Sequence, residues 1–227
     1  MANRQTAAYG RQGRSWKSPE GGLYFSFILD PLGEHLQPKV DQNALPTLSL
    51  LLSLAVQETL ASFAQTEKIK IKWPNDIVVH GKKLCGILTE MTTEEMRMTG
   101  IVVGIGINTG ITDFEEELKD KATSLALEVA KPDEVDRLTV FGAVLRQFQS
   151  CYERFMQTRD LSLLIDDYNA RCITVGHRVR VEEGASAFEA WAQAVDAHGE
   201  LVVRMEDETS RTVCAGEVSV RGVMGYV

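Results

Sequence analysis

The sequence predicts an α+β protein, with strands and helices up to about residue 172 followed by a small all-β barrel-like module. Three observations predict it. Up to about residue 172, apolar residues recur at both strand and helix spacing. Beyond Ile173 only short alternating runs remain, broken by glycines and acidic turns. The 227 residues are 44% hydrophobic and 25% charged, a globular mix that excludes disordered and fibrous classes.

The elements follow in order. LYFSFIL (23–29) is rich in aromatic and β-branched residues and reads as a strand that Asp30-Pro31 stops. From 42 to 65, Leu45, Leu48, Leu52, Ala55, Val56 and Phe63 recur at helical spacing. KIKIKW (68–73) alternates, Lys out and Ile in, until Pro74 ends the strand. IVV (77–79) and LCGILTEM (84–91) flank a His80–Lys83 hairpin turn, and IVVGIGI (101–107) reads as a buried strand. Leu138, Phe141, Leu145, Phe148, Tyr152 and Phe155 predict a long amphipathic helix over 134–157, with Asp133 as its cap. A shorter helix is expected near 160–170. The last 55 or so residues form the β module, with Trp191 and Tyr226 expected in its core.

Charge and cysteine usage narrow the function. Lys+Arg number 24 against 32 Asp+Glu, for a net charge of −8. A chain this acidic is a poor fit to a broad nucleic-acid surface. Residues 1–20 are the exception, with Arg4, Arg11, Arg14 and Lys17 against Glu20 alone. The four cysteines and four histidines are too scattered for a zinc site. The opening residues read as no signal peptide, and the apolar stretch 45–56 is too short for a bilayer span. A cytoplasmic protein with free thiols and no membrane segment is the expectation.

Four segments carry candidate chemistry. In TAAYGRQGRSW (6–16), Gly10 and Gly13 free the backbone to wrap a ligand, and Arg11 and Arg14 offer forks matched to phosphate or carboxylate. Trp16 offers a stacking face, and the alternative is a solvated basic loop. In KWPND (72–76), Asn75-Asp76 is either an ordinary turn or a group that orders a phosphate and its metal. In KKLCGILTE (82–90), Lys83 stands at a hairpin mouth, and Gly86 removes a side chain and permits close approach by a ligand. Cys85 reads as a small core residue. VGIGINTG (103–110) matches neither a dinucleotide fingerprint nor a P-loop, and leaves Asn108 for an adenine or ribose contact. The acidic run 113–120 reads as a solvated face. If the basic loop, Lys83 and Asn75-Asp76 converge, they suit the joining of two anions, as when a carboxylate attacks the α-phosphate of ATP.

Taken together, QTAxxGRQGRSW, KSPEGGLYFS, KWPND, KLCGILTE, VGIGIN and GEVSVR stand in an order that resembles the biotin–protein ligases (biotin–[acetyl-CoA-carboxylase] ligases) over nearly the whole chain. The resemblance implies a mixed-sheet, class II synthetase-like catalytic domain over 1–172 and a small SH3-like β-barrel domain over 173–227. It implies that ATP, with Mg²⁺, adenylates biotin to biotinyl-5′-AMP, which then modifies a lysine of a biotin carboxyl carrier protein. It leaves room for a homodimer. Carried over by position, Lys83 and Arg11 are the catalytic cations. Gln5, Tyr9, Gly10, Arg14, Trp16, Gly86 and Asn108 contact biotin or the adenylate. Asn75 and Asp76 order the phosphate and metal region, and Arg221 is the second domain's nucleotide contact.

Two departures qualify the resemblance. Ala8 and Tyr9 stand where the family's loop has Gly and Arg, and the chain begins after the family's upstream Ser-Thr-Asn segment. A missing N-terminal strand and helix is therefore expected, and no helix-turn-helix precedes the loop. A truncated homologue that binds biotin or the carrier with impaired turnover, and a lipoate–protein ligase, are the competing expectations.

Overall fold

The computed structural model describes residues 1–29, 45–94, 97–132, 135–215 and 218–222; the side chains of 45, 93–94, 97–99, 218, 219 and 221 are not described. The Asp30-Pro31 stop, the Asp133 cap, the side chain of Arg221 and Tyr226 therefore lie outside the described residues.

Among the described residues, two five-stranded sheets organise the fold. The first runs in the order β1 (Leu23–Leu29), β5 (Arg97–Ile107), β4 (Lys82–Glu94), β3 (Asp76–Val79), β2 (Ile69–Lys72). Its ladders are antiparallel, and its parallel component is confined to single bridges, Ile71 to Cys172 and Lys83 to Ala122. The β3–β4 hairpin turns on His80 and Gly81, both with positive φ (49° and 74°). Lys82 and Lys83 thus open a strand instead of filling the turn.

One face of this sheet carries the core. Leu23, Phe25, Ile101, Val103, Ile105 and Ile107 point to that side and are buried. Helix α1 (Leu45–Ala64) packs there. Its only charged residue is Glu58, and it is buried almost all round, as a helix without a polar face must be. By length and composition α1 could cross a membrane, but 67% of its most apolar window is buried within the molecule. A short helix, α2 (Leu125–Glu128), follows β5. Helix α3 (Arg137–Thr158) packs on α1 and sets Phe141 edge-on to Phe25, ring centroids 4.9 Å apart. Its cap is Asp136, whose carboxylate accepts from the Thr139 N–H at 2.7 Å. The Thr139 hydroxyl donates to the same carboxylate at 2.7 Å, and this bond, with the N–H bond second, holds the Asp136 carboxyl below its ordinary range. Leu138, expected on the buried stripe, is exposed in the first turn.

The second sheet follows α4 (Ile165–Arg171) and runs β10 (Val218–Gly222), β6 (Arg178–Glu183), β7 (Ser186–Val195), β8 (Leu201–Arg204), β9 (Ser210–Val213). Val179, Val181, Ala190, Ala192, Val203 and Val213 form its inner face. Trp191 departs from the expectation: it is 46% exposed, because the inward positions of β7 are taken by Ala190 and Ala192. It lies across the strands between Arg178 and Arg204.

The two sheets are joined at KWPND. Trp73, 2% exposed, donates its indole N–H to the Gly199 carbonyl at 3.1 Å, and its backbone N–H to Thr174 Oγ1 at 3.0 Å. The turn at Gly199 rests on Leu50 and Thr47 of α1.

Candidate functional site

The face of the first sheet turned away from the helices is thinned to glycine where β4 and β5 pair. Gly86 lies opposite Gly106 in that ladder. A Cβ added at either would come within 3.0 Å of the Trp16 ring. The glycines therefore seat an indole, and at Gly86 what approaches is Trp16 and Lys83, not open space for a ligand. Gly106 was not singled out by sequence, although the alternate glycines of VGIGI carried the signal.

The loop bearing Trp16 folds into a small hairpin. Tyr9 bridges Ser15, the Gly10 N–H donates to Arg14 O at 2.7 Å, and the Trp16 N–H donates to Ala8 O at 3.1 Å. Gln12 and Gly13 turn the tip with φ of 58° and 68°. From that tip Arg11 donates to Asn75 Oδ1 at 3.2 Å and to the carbonyl of Ala215. One guanidinium thus touches the loop, the KWPND turn and the second sheet's module. Burial pulls the Arg11 guanidinium below its ordinary pKa, while Asp76 acts the other way.

Lys83 reaches the same place from β4. Its ammonium lies 2.6 Å from Asp76 Oδ1 and 5.0 Å from the Trp16 ring centroid. Its backbone is clipped on both sides, with its N–H to Lys121 O (2.8 Å) and its carbonyl accepting from Thr123 N–H (3.0 Å). Asn108, 5% exposed, donates its amide to Thr123 O at 2.9 Å and to Lys83 O at 3.4 Å. Asn108 thus fixes the Lys83 segment, whatever else it contacts. Burial pushes the adjacent Cys85 thiol far above its ordinary range, so it is no nucleophile.

These groups wall one cavity of about 1340 Å³. It brings together Gln5, Arg11, Arg14, Trp16, Asn75, Asp76, Lys83 and Asn108. Gly10 and Gly86 lie behind its wall, in the hairpin and the floor. Val220 and Gly222 bring β10 to the rim, so the backbone on either side of Arg221 is at the site. Tyr9 is the exception. It is 56% exposed and donates its hydroxyl to Glu90 Oε2 at 3.0 Å, outside the cavity. That hydrogen bond raises the Tyr9 pKa.

Two features of the wall depart from the sequence reading. Lys72, expected to point to solvent, is 9% exposed and lines the cavity beside Asn75. The acidic segment also contributes: Phe114, Glu115 and Leu118 line the cavity, and Glu115 pairs with Lys17 at 3.0 Å. For Mg²⁺, Asp76 fits as a single carboxylate ligand completed by phosphates and water, the usual arrangement for that ion. The Asn75 side chain is engaged at both ends, accepting from Arg11 and donating to Ile87 O at 2.6 Å.

The comparisons with known proteins agree with this architecture. Residues 1–108 match the Biotin/lipoate A/B protein ligase family, and residues 174–221 match the Biotin protein ligase C terminal domain. The biotin--[acetyl-CoA-carboxylase] ligase of Mycobacterium tuberculosis is 34% identical over 223 residues, covering 96% of this chain and 77% of that protein. The chain belongs to the biotin protein ligase family. A biotin protein ligase of Aquifex aeolicus, solved in complex with biotin and ATP, superposes with a TM-score of 0.83 at 31% identity, over 97% of this chain and 87% of that one. The bifunctional ligase/repressor BirA of Bacillus subtilis is 36% identical over 214 residues, and this biotin protein ligase family member spans 61% of its length.

Proposed function

We propose that this protein adenylates biotin with ATP and transfers the biotinyl group to a lysine of a biotin carboxyl carrier protein. The observation that carries this reading is the convergence of Arg11 and Lys83, from separate elements, around Asp76 on one cavity wall. Its two closest supports are the matched ligases and the Aquifex structure bound to biotin and ATP.

The first step joins two anions. A biotin carboxylate oxygen attacks the α-phosphorus, the bond to the β-phosphate oxygen breaks, and pyrophosphate leaves with the electron pair. Lys83 and Arg11 offset the repulsion and the charge that builds in attack. Asp76 would hold Mg²⁺ with the phosphates of ATP, and the ion would supply further positive charge to neutralise them. Trp16, on its glycine seat, forms a flat apolar wall for biotin or adenine, while Gln5 and Asn108 contact the ligands. The 8–16 hairpin shields the mixed anhydride from water. In the second step the lysine amine attacks the acyl carbon and AMP departs.

We assign residues 1–172 to the catalytic domain, class II synthetase-like, and 173–227 to an SH3-like domain whose β10, at Val220 and Gly222, lines the cavity. Free thiols at all four cysteines support a reducing, cytoplasmic setting, and a homodimer is open to light scattering. Incubation with biotin, ATP and a carrier domain tests the reading: a carrier mass raised by one biotinyl group is expected. Lipoate that competes as well as biotin would move the substrate class.

A further inference from the structure

The hairpin over the cavity is held at its tip and at its stem, and the two ends differ. At the tip, Arg11 binds Asn75 and the Ala215 carbonyl. Arg11 is also a cation that arriving phosphates recruit, so the tip anchor weakens when the site is in use. The stem stands on one strand. Trp16 rests over Gly86, and Tyr9 bonds to Glu90, four residues further along β4. The ladder from Cys85 to Thr92 is uninterrupted, so residues 86 and 90 share the outer face. Neither Tyr9 nor Glu90 lines the cavity, so a ligand held there has no contact with their hydrogen bond.

We propose that the Tyr9–Glu90 hydrogen bond is a latch that holds the hairpin down and sets how long the reactive acyl-adenylate is retained. Tyr9 is a positioning residue in this account. It stands where the resemblance leads one to expect an arginine, and it exchanges a charge for a tether. The inference rests on the adenylating function proposed above. Because the bond is exposed to water, its strength is modest, and its loss shifts an opening equilibrium about three- to tenfold.

Tyr9→Phe, Glu90→Ala and the double variant test it, with two readouts. The first is the rate at which biotinyl-5′-AMP leaves the enzyme after mixing with biotin and ATP without carrier. The second is hydrogen exchange at the Gly10 and Trp16 amides in the protein alone. Each single variant is expected to release adenylate, and to exchange those amides, about three to ten times faster. The double variant should match the singles. Wild-type rates in Tyr9→Phe, or additive effects in the double variant, overturn the latch. Absence of any adenylate in the wild-type enzyme refutes the function and leaves the latch to the amide readout alone, where unchanged protection refutes it too.

Discussion

The two sheets have the same strand count and the same antiparallel ladders, yet they use their outer faces in opposite ways. In the second, the outer face is wet and charged: Arg178 pairs with Glu189 and Glu206, and Arg180 with Glu182. In the first, the outer face around Gly86 and Gly106 is stripped of side chains so that Trp16 and Lys83 can lie on it. Fold and function therefore separate within one architecture. An outer face that only needs solubility takes charges, whereas one that holds a site gives up bulk to seat particular groups.

The contrast can be broken from either side. The largest effect is expected on the glycine-floored face, with Lys83→Met lowering biotin-dependent adenylation about a hundred- to thousandfold, read by single-turnover kinetics with thermal stability near wild type. Near-normal turnover would remove Lys83 from catalysis. Gly106→Val displaces the Trp16 ring and should cost about ten- to a hundredfold in the same assay. At the joint between the sheets, Trp73→Phe strands the Gly199 carbonyl and should cost about 1–3 kcal/mol in denaturant unfolding. On the charged face, Arg178→Ala removes pairs that are half-exposed and should change stability by less than about 0.5 kcal/mol, with adenylation unaffected.

The periodic elements were legible in the sequence because burial imposes period: β1, β2, α1, α3 and the short runs of the second sheet all lie near their expected places. The site was legible as a set of motifs, and the structure brings Arg11, Lys83 and Asp76 together. What escaped has particular causes. Lys72 keeps the strand's alternation in sequence but sits at its end, where the chain turns into the cavity wall. Trp191 is exposed because flanking alanines, not size, decide which side of β7 faces inward. The acidic segment hides Phe114 and Leu118 among charges, and their spacing alone does not say that they face a cavity. Tyr9 sits in a motif associated with ligand contact, but its partner Glu90 is 81 residues away, a pairing that only the fold reveals.

The most direct test of the central claim is exchange of labelled pyrophosphate into ATP by the purified protein, with and without biotin. Exchange that requires biotin is the predicted result, because the cations at Arg11 and Lys83 act on a carboxylate and a phosphate held together. Exchange without biotin, or none under saturating biotin and ATP, would contradict it.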